Sequence, residues 1–369
     1  MSTTWVPRMP DERAVQTLDS GLGLVRSGCD VDYVSGLIDR SLWGHFNSGR
    51  GIVTDDFLSA TDTTLLPSHQ SAEDRQRAKH GTCSKRPDFF TKDDSGLSMA
   101  ALVRRYFEPH PTSIDSKRSL EYADGMVRAL VDPTKGLLNL VSLSTAEESF
   151  AGRTGLGWPV FSSDRNFLPL VREESARIIR AGYPRESVYY YPAVVGFRGQ
   201  SRGPGKFCKF RAIFQCSRVM GNLEKMLQIP LHEALRYRGD TFCAWNGRNS
   251  VDHAVTRLMR NTKRPFVSID FANFDASIPR EVIERVFDII KGWFHRSWHS
   301  HVEYLKEYFL GCGIIIPAKF DSGSKRVILS GELRCGGVPS GSVLTNLIDS
   351  LVNLWVISYA AARDGGRVS

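Results

Sequence analysis

The segment "GGVPSGSVLTNLIDSLVNLWVISYAA", residues 336–361, constrains the fold more than any other stretch of the 369-residue chain. Leu344, Leu347, Ile348, Leu351 and Trp355 recur at helical spacing, so they form one apolar stripe that must be buried against another element. Thr345, Asp349 and Asn353 repeat every four residues on the other side. A helix written this way packs with one face and leaves a polar face to contact something else. Ahead of it, Gly336, Gly337 and Gly341 let backbone approach a ligand closely, and Ser340 offers a hydroxyl at the mouth of the helix. A Gly-rich helix entry with a merely exposed polar face explains the turn equally well, so this segment alone does not decide its use.

"PFVSIDFANFDASIPREV", residues 265–282, places Asp270 at the end of a short apolar run expected to be a buried strand, and Asp275 five positions later. No Lys or Arg stands within "DFANFDASIP", so a bound cation, Mg²⁺ held together with substrate phosphates, competes with a simple turn-and-cap role for the two aspartates. A helix is expected from about Pro279 to His295, with Ser277 as its cap and Pro279 in its first turn. A hairpin follows in "GIIIPAKFDSGSKRVILSGEL", turning at 321–324. The order β-α-β-β-α is that of an α+β layer with helices on one face of an antiparallel sheet.

Upstream, "YYYPAVVGFRGQSRGPGKFCKFRAIFQCSR" alternates aromatic and β-branched runs around Gly-Pro-Gly and carries six basic residues from Arg198 to Arg218. A β-hairpin with a cationic loop fits. Its charge either serves a polyanion or only keeps a surface hairpin soluble. The formal charge of +8 and pI near 9.1 point the same way without choosing. Seven cysteines without a CxxC pair support neither a zinc knuckle nor a secreted disulfide framework. "HRSWHSH", 295–301, has metal-compatible H-x3-H spacing but no Cys or carboxylate nearby, so a solvated helix end is expected. Residues 67–95 read as a charged, solvated loop, "LSMAALVRRYF" from Leu97 as a helix, and no membrane span or signal peptide is expected.

Three motifs in order then carry a resemblance. "KFCKFRAIF" with Lys209 and Arg211 is similar to the basic fingertip motif F of viral RNA-dependent RNA polymerases, "DFANFDASIP" to their motif A, and "GVPSGSVLTNLIDSLVN" to their motif B. The set is closest to the enzymes of partitivirus- and picobirnavirus-type double-stranded RNA viruses. "GFRGQSR" resembles a run in the partitivirus type, and "TGLGWPVFSSDRN" faintly resembles motif G.

The resemblance implies an α+β right-hand polymerase, with an N-terminal extension and fingers in 1–150, fingers bearing the basic hairpin in 151–262, and half of a palm in 263–369. It implies two-metal nucleotidyl transfer with Mg²⁺ or Mn²⁺ at Asp270 and the Phe271 carbonyl, and Asp275 reading the ribose 2′-hydroxyl. Lys209, Arg211, Ser340, Gly341, Thr345 and Asp349 would contact the nucleoside triphosphate, and Arg198, Arg202 and Lys206 the RNA. RNA template, RNA product and nucleoside triphosphates are the partners it implies, in the host cytoplasm within a virion or replication complex. The family's wider pattern has Asn where Asp349 stands. Motif C, Gly-Asp-Asp, is absent, as is a thumb. A partial chain, a polymerase divided between this chain and a second polypeptide carrying motif C, and a non-catalytic RNA-binding derivative all remain open at this stage.

Overall fold

The computed structural model describes residues 103, 105–106, 114–132, 137–150, 155–157, 168–200, 209–236, 241–261, 269–321, 326–333 and 336–365. The expected loop at 67–95, most of the expected helix from Leu97, the bulk of the motif G tract, Arg202 and Lys206 lie outside these residues.

Helix α1 (Lys117–Arg128) starts at Ser116, whose hydroxyl accepts from Ser119 N–H and satisfies one of the free donors of the first turn. Helix α2 (Leu143–Glu148) is capped in the same way by Ser142. Helix α3 (Leu168–Arg180) leads to the hairpin β1 (Ala193–Gln200) and β2 (Lys209–Gln215), antiparallel with Arg198 opposite Arg211, as the aromatic and β-branched pattern predicts. Helices α4 (Arg218–Arg236) and α5 (Arg248–Asn261) follow. After them come a single turn, α6 (Phe274–Ser277), and α7 (Arg280–Trp293). Helix α8 (His299–Gly311), the hairpin β3 (Gly313–Asp321) and β4 (Arg326–Leu333), and α9 (Thr345–Arg363) complete the order.

The two hairpins form one four-stranded sheet in the order β2-β1-β3-β4. It is mixed, not antiparallel as expected, because β1 and β3 run parallel through Ala193↔Ile314 and Val194↔Ile315. A chain segment that returns through several helices can bring a strand back in the same direction, which a tight hairpin cannot. The register of β3 against β4 shifts between Pro317 and Lys319, where proline removes a ladder donor. The expected strand before Asp270 lies largely outside the described residues. Ile269 itself is 52% exposed and not in a strand, contrary to the buried run expected there.

Helix α9 buries the stripe read from its sequence: Leu344, Leu347, Ile348, Leu351 and Trp355 are each no more than 1% exposed, packed toward α1 and α7. Between α7 and α8, Ile283, Phe287, Ile290, Leu305 and Phe309 are fully buried. Two local expectations fail. Ser277 does not cap α7, for its hydroxyl donates to Phe274 carbonyl within the preceding turn and Pro279 takes the cap position. His301 is not solvated but wholly buried, with Nε2 on Leu223 carbonyl and Nδ1 on Tyr183 hydroxyl. His295 is exposed as expected. Burial holds the His301 ring neutral, its pKa pushed down to about 4.

Candidate active site

The Gly-rich loop before α9 is held between two other elements by backbone hydrogen bonds. On one side Phe214 N–H of β2 donates to Ser340 carbonyl at 2.7 Å. On the other, Val338 N–H donates to Asp275 carbonyl at 2.7 Å and Gly337 N–H to Ile278 carbonyl at 2.9 Å. The approach to β2 needs glycine: Gly341 has φ +137°, and a Cβ there would lie 2.0 Å from Phe214 carbonyl oxygen. The basic strand, the turn that carries Asp275 and the loop therefore meet in one place although they are far apart in sequence.

A cleft of about 470 Å³ opens at this junction, lined by Phe274, Ser342, Val343, Thr345, Asn346, Asp349, Ser350 and Asn353. The polar face predicted for α9, Thr345, Asp349 and Asn353, is the cleft wall. Thr345 has a structural duty as well, since its hydroxyl donates to Pro339 carbonyl at 2.7 Å and accepts from Gly341 N–H at 3.4 Å.

Asp349 carries the unusual electrostatics. Its carboxyl meets that of Asp275, and its Oδ1 is buried without a hydrogen-bond partner among the described residues. Burial first, and the facing Asp275 second, push the Asp349 carboxyl up to about 8. Both causes favour the protonated form of Asp349, a carboxylic acid with one O–H to donate and one oxygen to accept. Asp275 is half-buried in the single turn α6, which Asn273 enters in the left-handed region at φ 54°.

Asp270 is exposed, and no cation forms an ion pair with it or with Asp275 among the described residues. An exposed carboxylate followed by a backbone carbonyl suits a hard cation such as Mg²⁺ or Mn²⁺. Among the described residues, however, no group of three or more His, Cys, Asp or Glu side chains converges on one point, so they do not complete a coordination shell. Lys209 and Arg211 lie on β2 and Arg198 on β1, at register positions in the same hairpin that the loop abuts.

Two residues of the site escaped the sequence reading. Asn346 lines the cleft, and its Oδ1 accepts from Trp245 Nε1–H at 3.0 Å. Glu224 of α4 is fully buried beneath the loop. A signal for it existed: Glu224 stands four residues after Met220 and three before Leu227, on the apolar stripe of its helix, where a charged residue is out of place.

Three comparisons bear on this arrangement. The family model for viral RNA-dependent RNA polymerase matches residues 209–368. The RNA-directed RNA polymerase of Cryptosporidium parvum virus 1 (strain KSU-1) is 25% identical over 281 residues, covering 73% of this chain and 50% of that protein. Among solved structures, an insertion-loop deletion mutant of the RNA-dependent RNA polymerase of a human picobirnavirus aligns with a TM-score of 0.52 and 20% identity, over 82% of this chain and 57% of that one. A structure of the RNA-dependent RNA polymerase of a human picobirnavirus aligns with a TM-score of 0.51 and 18% identity, over 82% of this chain and 55% of that one. The chain spans about half the length of these relatives. Motif order, fold and the match over 209–368 agree in likening this chain to the viral RNA-dependent RNA polymerases.

Proposed function

We propose that this chain serves RNA-templated RNA synthesis, supplying the fingers and the first half of the palm of a polymerase. The observation that carries the reading is the confrontation of Asp275 with Asp349 in a cleft beside the Gly-rich loop, within the segment that matches the polymerase family. In this reading the nucleotide enters along the β1–β2 hairpin. Lys209 and Arg211 face its phosphates, where a guanidinium fork is suited to paired oxygens. Arg198, opposite Arg211, and Arg202 and Lys206 in the adjoining segment accompany the RNA strand. Two arginines at one register position repel unless an anion lies between them.

Protonated Asp349 explains how an aspartate stands where the wider family carries asparagine. A neutral carboxylic acid, like an amide, offers both a donor and an acceptor, so it can donate to Asp275 and leave Oδ1 for a ligand hydroxyl. A ribose 2′-hydroxyl satisfies that orphaned oxygen, and a deoxyribose leaves it unpaired in a buried place, which penalises the wrong sugar. Ser340 and Gly341 form the loop floor beside this pair.

Asp270, with the Phe271 carbonyl beside it, is assigned one side of a Mg²⁺ or Mn²⁺ site. The remaining ligands come from residues beyond those described, in the same chain or in a second polypeptide. Among the described residues no helix is long and apolar enough to cross a membrane. This reading puts the protein in the host cytoplasm, in a virion or replication complex.

The test is competition between matched ribo- and deoxynucleoside triphosphates in a competent polymerase assembly. Asp275→Ala removes the acceptor that orients the Asp349 carboxyl and leaves Oδ1 for the ribose, so it should raise relative deoxynucleotide use by roughly tenfold. Asp270→Ala should abolish addition of either sugar while leaving RNA affinity intact. Unaltered sugar selectivity in the first variant would remove the ribose assignment, and wild-type synthesis by the second would remove the metal assignment.

A further inference from the structure

Glu224 is a carboxylate in the core with no cation paired to it among the described residues. Both of its oxygens are used by one loop. Ser342 Oγ donates to Oε1 at 2.6 Å, and Val343 N–H donates to Oε2 at 2.9 Å. Ser342 Oγ in turn accepts from Leu344 N–H at 3.1 Å. The Val343 and Leu344 N–H groups stand at the entrance to α9, outside its intrahelical ladder, and Leu344 at the cap position makes no side-chain cap of its own. Glu224 thus holds the two residues just before the α9 cap from a different helix, 119 residues before Val343 in the chain.

Burying such a group is costly. Burial pushes the carboxyl up to about 7 even though the two hydrogen bonds pull the other way. An apolar side chain of similar volume would fill the same space without that cost. What the carboxylate adds is a pair of acceptors aimed at the stretch that touches β2 at Ser340 and Gly341, and α6 at Gly337 and Val338. Of these three anchorages, Glu224 alone grips the loop through a side chain from below. Among the described residues no other side chain from outside the loop hydrogen-bonds residues 342 and 343, which lie one to two turns before Asp349.

We propose that Glu224 is the positioning residue of the nucleotide-site loop, holding residues 336–344 in the one register that presents Ser340 and the Asp275–Asp349 pair to the substrate. Its consequence for the substrate rests on the polymerase reading above. Its hold on the loop does not, and the two are separable by experiment.

Amide hydrogen exchange on the full chain reads the hold directly. Glu224→Leu keeps the core volume and removes both acceptors, so peptides spanning 336–348 should exchange roughly tenfold faster while those of α8 stay unchanged. Glu224→Gln should restore near wild-type protection, because its amide can accept from Val343 N–H and donate to Ser342 Oγ. Ser342→Ala, which leaves α4 untouched, should speed loop exchange by a few-fold and serves where the Leu variant does not fold. Loop exchange at the wild-type rate in Glu224→Leu, or in Ser342→Ala should the first not fold, overturns the proposal. So does equal acceleration in α8, which would mark Glu224 as a general stabiliser. In a competent assembly, Glu224→Leu should also lower ribose selectivity and raise KM for nucleotide more than it lowers kcat, with Gln rescuing both. Accelerated loop exchange in a protein that supports no RNA synthesis in any assembly would uphold the role of Glu224 and count against the polymerase reading instead.

Discussion

Two aspartates meet helix α9 in opposite circumstances. Asp124, from α1, reaches it at Trp355, and its carboxylate is fully occupied: Trp355 Nε1–H donates to Oδ1 at 2.8 Å, while Arg285 and Arg128 approach Oδ2 at 3.4 and 3.5 Å. Asp349, six residues earlier on α9, has an unpartnered buried oxygen and another carboxyl facing it. The first arrangement satisfies every group and ties α1, α7 and α9 into one body. The second leaves a donor-acceptor demand unmet, which is unfavourable for the empty protein and useful only when a ligand arrives. A carboxyl taken out of water thus serves cohesion in one place and recognition in the other, and hydrogen-bond satisfaction tells them apart.

The contrast is broken or sharpened most strongly at Asp349. Its folded pKa of about 8 lies above the unfolded 3.8, so between these values the folded state holds a proton that the unfolded state has released. Stability from this group is therefore full below about pH 4 and is lost as pH rises toward 8. Asp349→Asn should remove that loss, making the variant more stable than wild type at pH 8 by on the order of a few kcal/mol, a margin that shrinks as pH falls. Glu224, raised to about 7, slopes in the same direction, whereas His301, lowered to about 4, gives stability that rises with pH. Both cancel in the difference between variant and wild type. Denaturant titrations of the pair across pH 5 to about 8 make the comparison. A margin independent of pH would mean that Asp349 is ionised throughout.

At Asp124 the sign reverses. Asp124→Ala leaves the buried Trp355 N–H without an acceptor and should cost about 1–3 kcal/mol with little dependence on cleft ligands. A shift in urea midpoint at unchanged slope would report it. A smaller loss than that of an exposed alanine substitution would show that α1 is not tied to α9 through this group. The smallest effect belongs to Arg285→Ala. Its side chain is 39% exposed and its contact with Asp124 is long, so about 0–1 kcal/mol is expected, reduced further by salt. A larger loss would make the Asp124 cluster an ion-pair network and not chiefly a hydrogen bond to tryptophan.

What the sequence by itself determined is what short-range periodicity controls. The buried stripe of α9, its polar wall at Thr345, Asp349 and Asn353, the helix from Arg280 and both hairpins follow from patterns within a few turns or strand lengths, because side-chain direction repeats with the backbone. Motif order also carried the resemblance to viral polymerases, since chemistry at a site requires particular residue types at particular spacings. The parallel joining of the two hairpins, the burial of His301 and the failure of Ser277 as a cap were decided by the tertiary structure, as each depends on what lies next to the residue in space. The same holds for the partners of two buried carboxyls, one beneath the loop and one between α1 and α9. Glu224 finds Ser342 across 118 residues, and Asp124 finds Trp355 across 231. No local pattern specifies such a partner, and only the packed chain determines whether a buried charge is satisfied, shared or left waiting for a ligand.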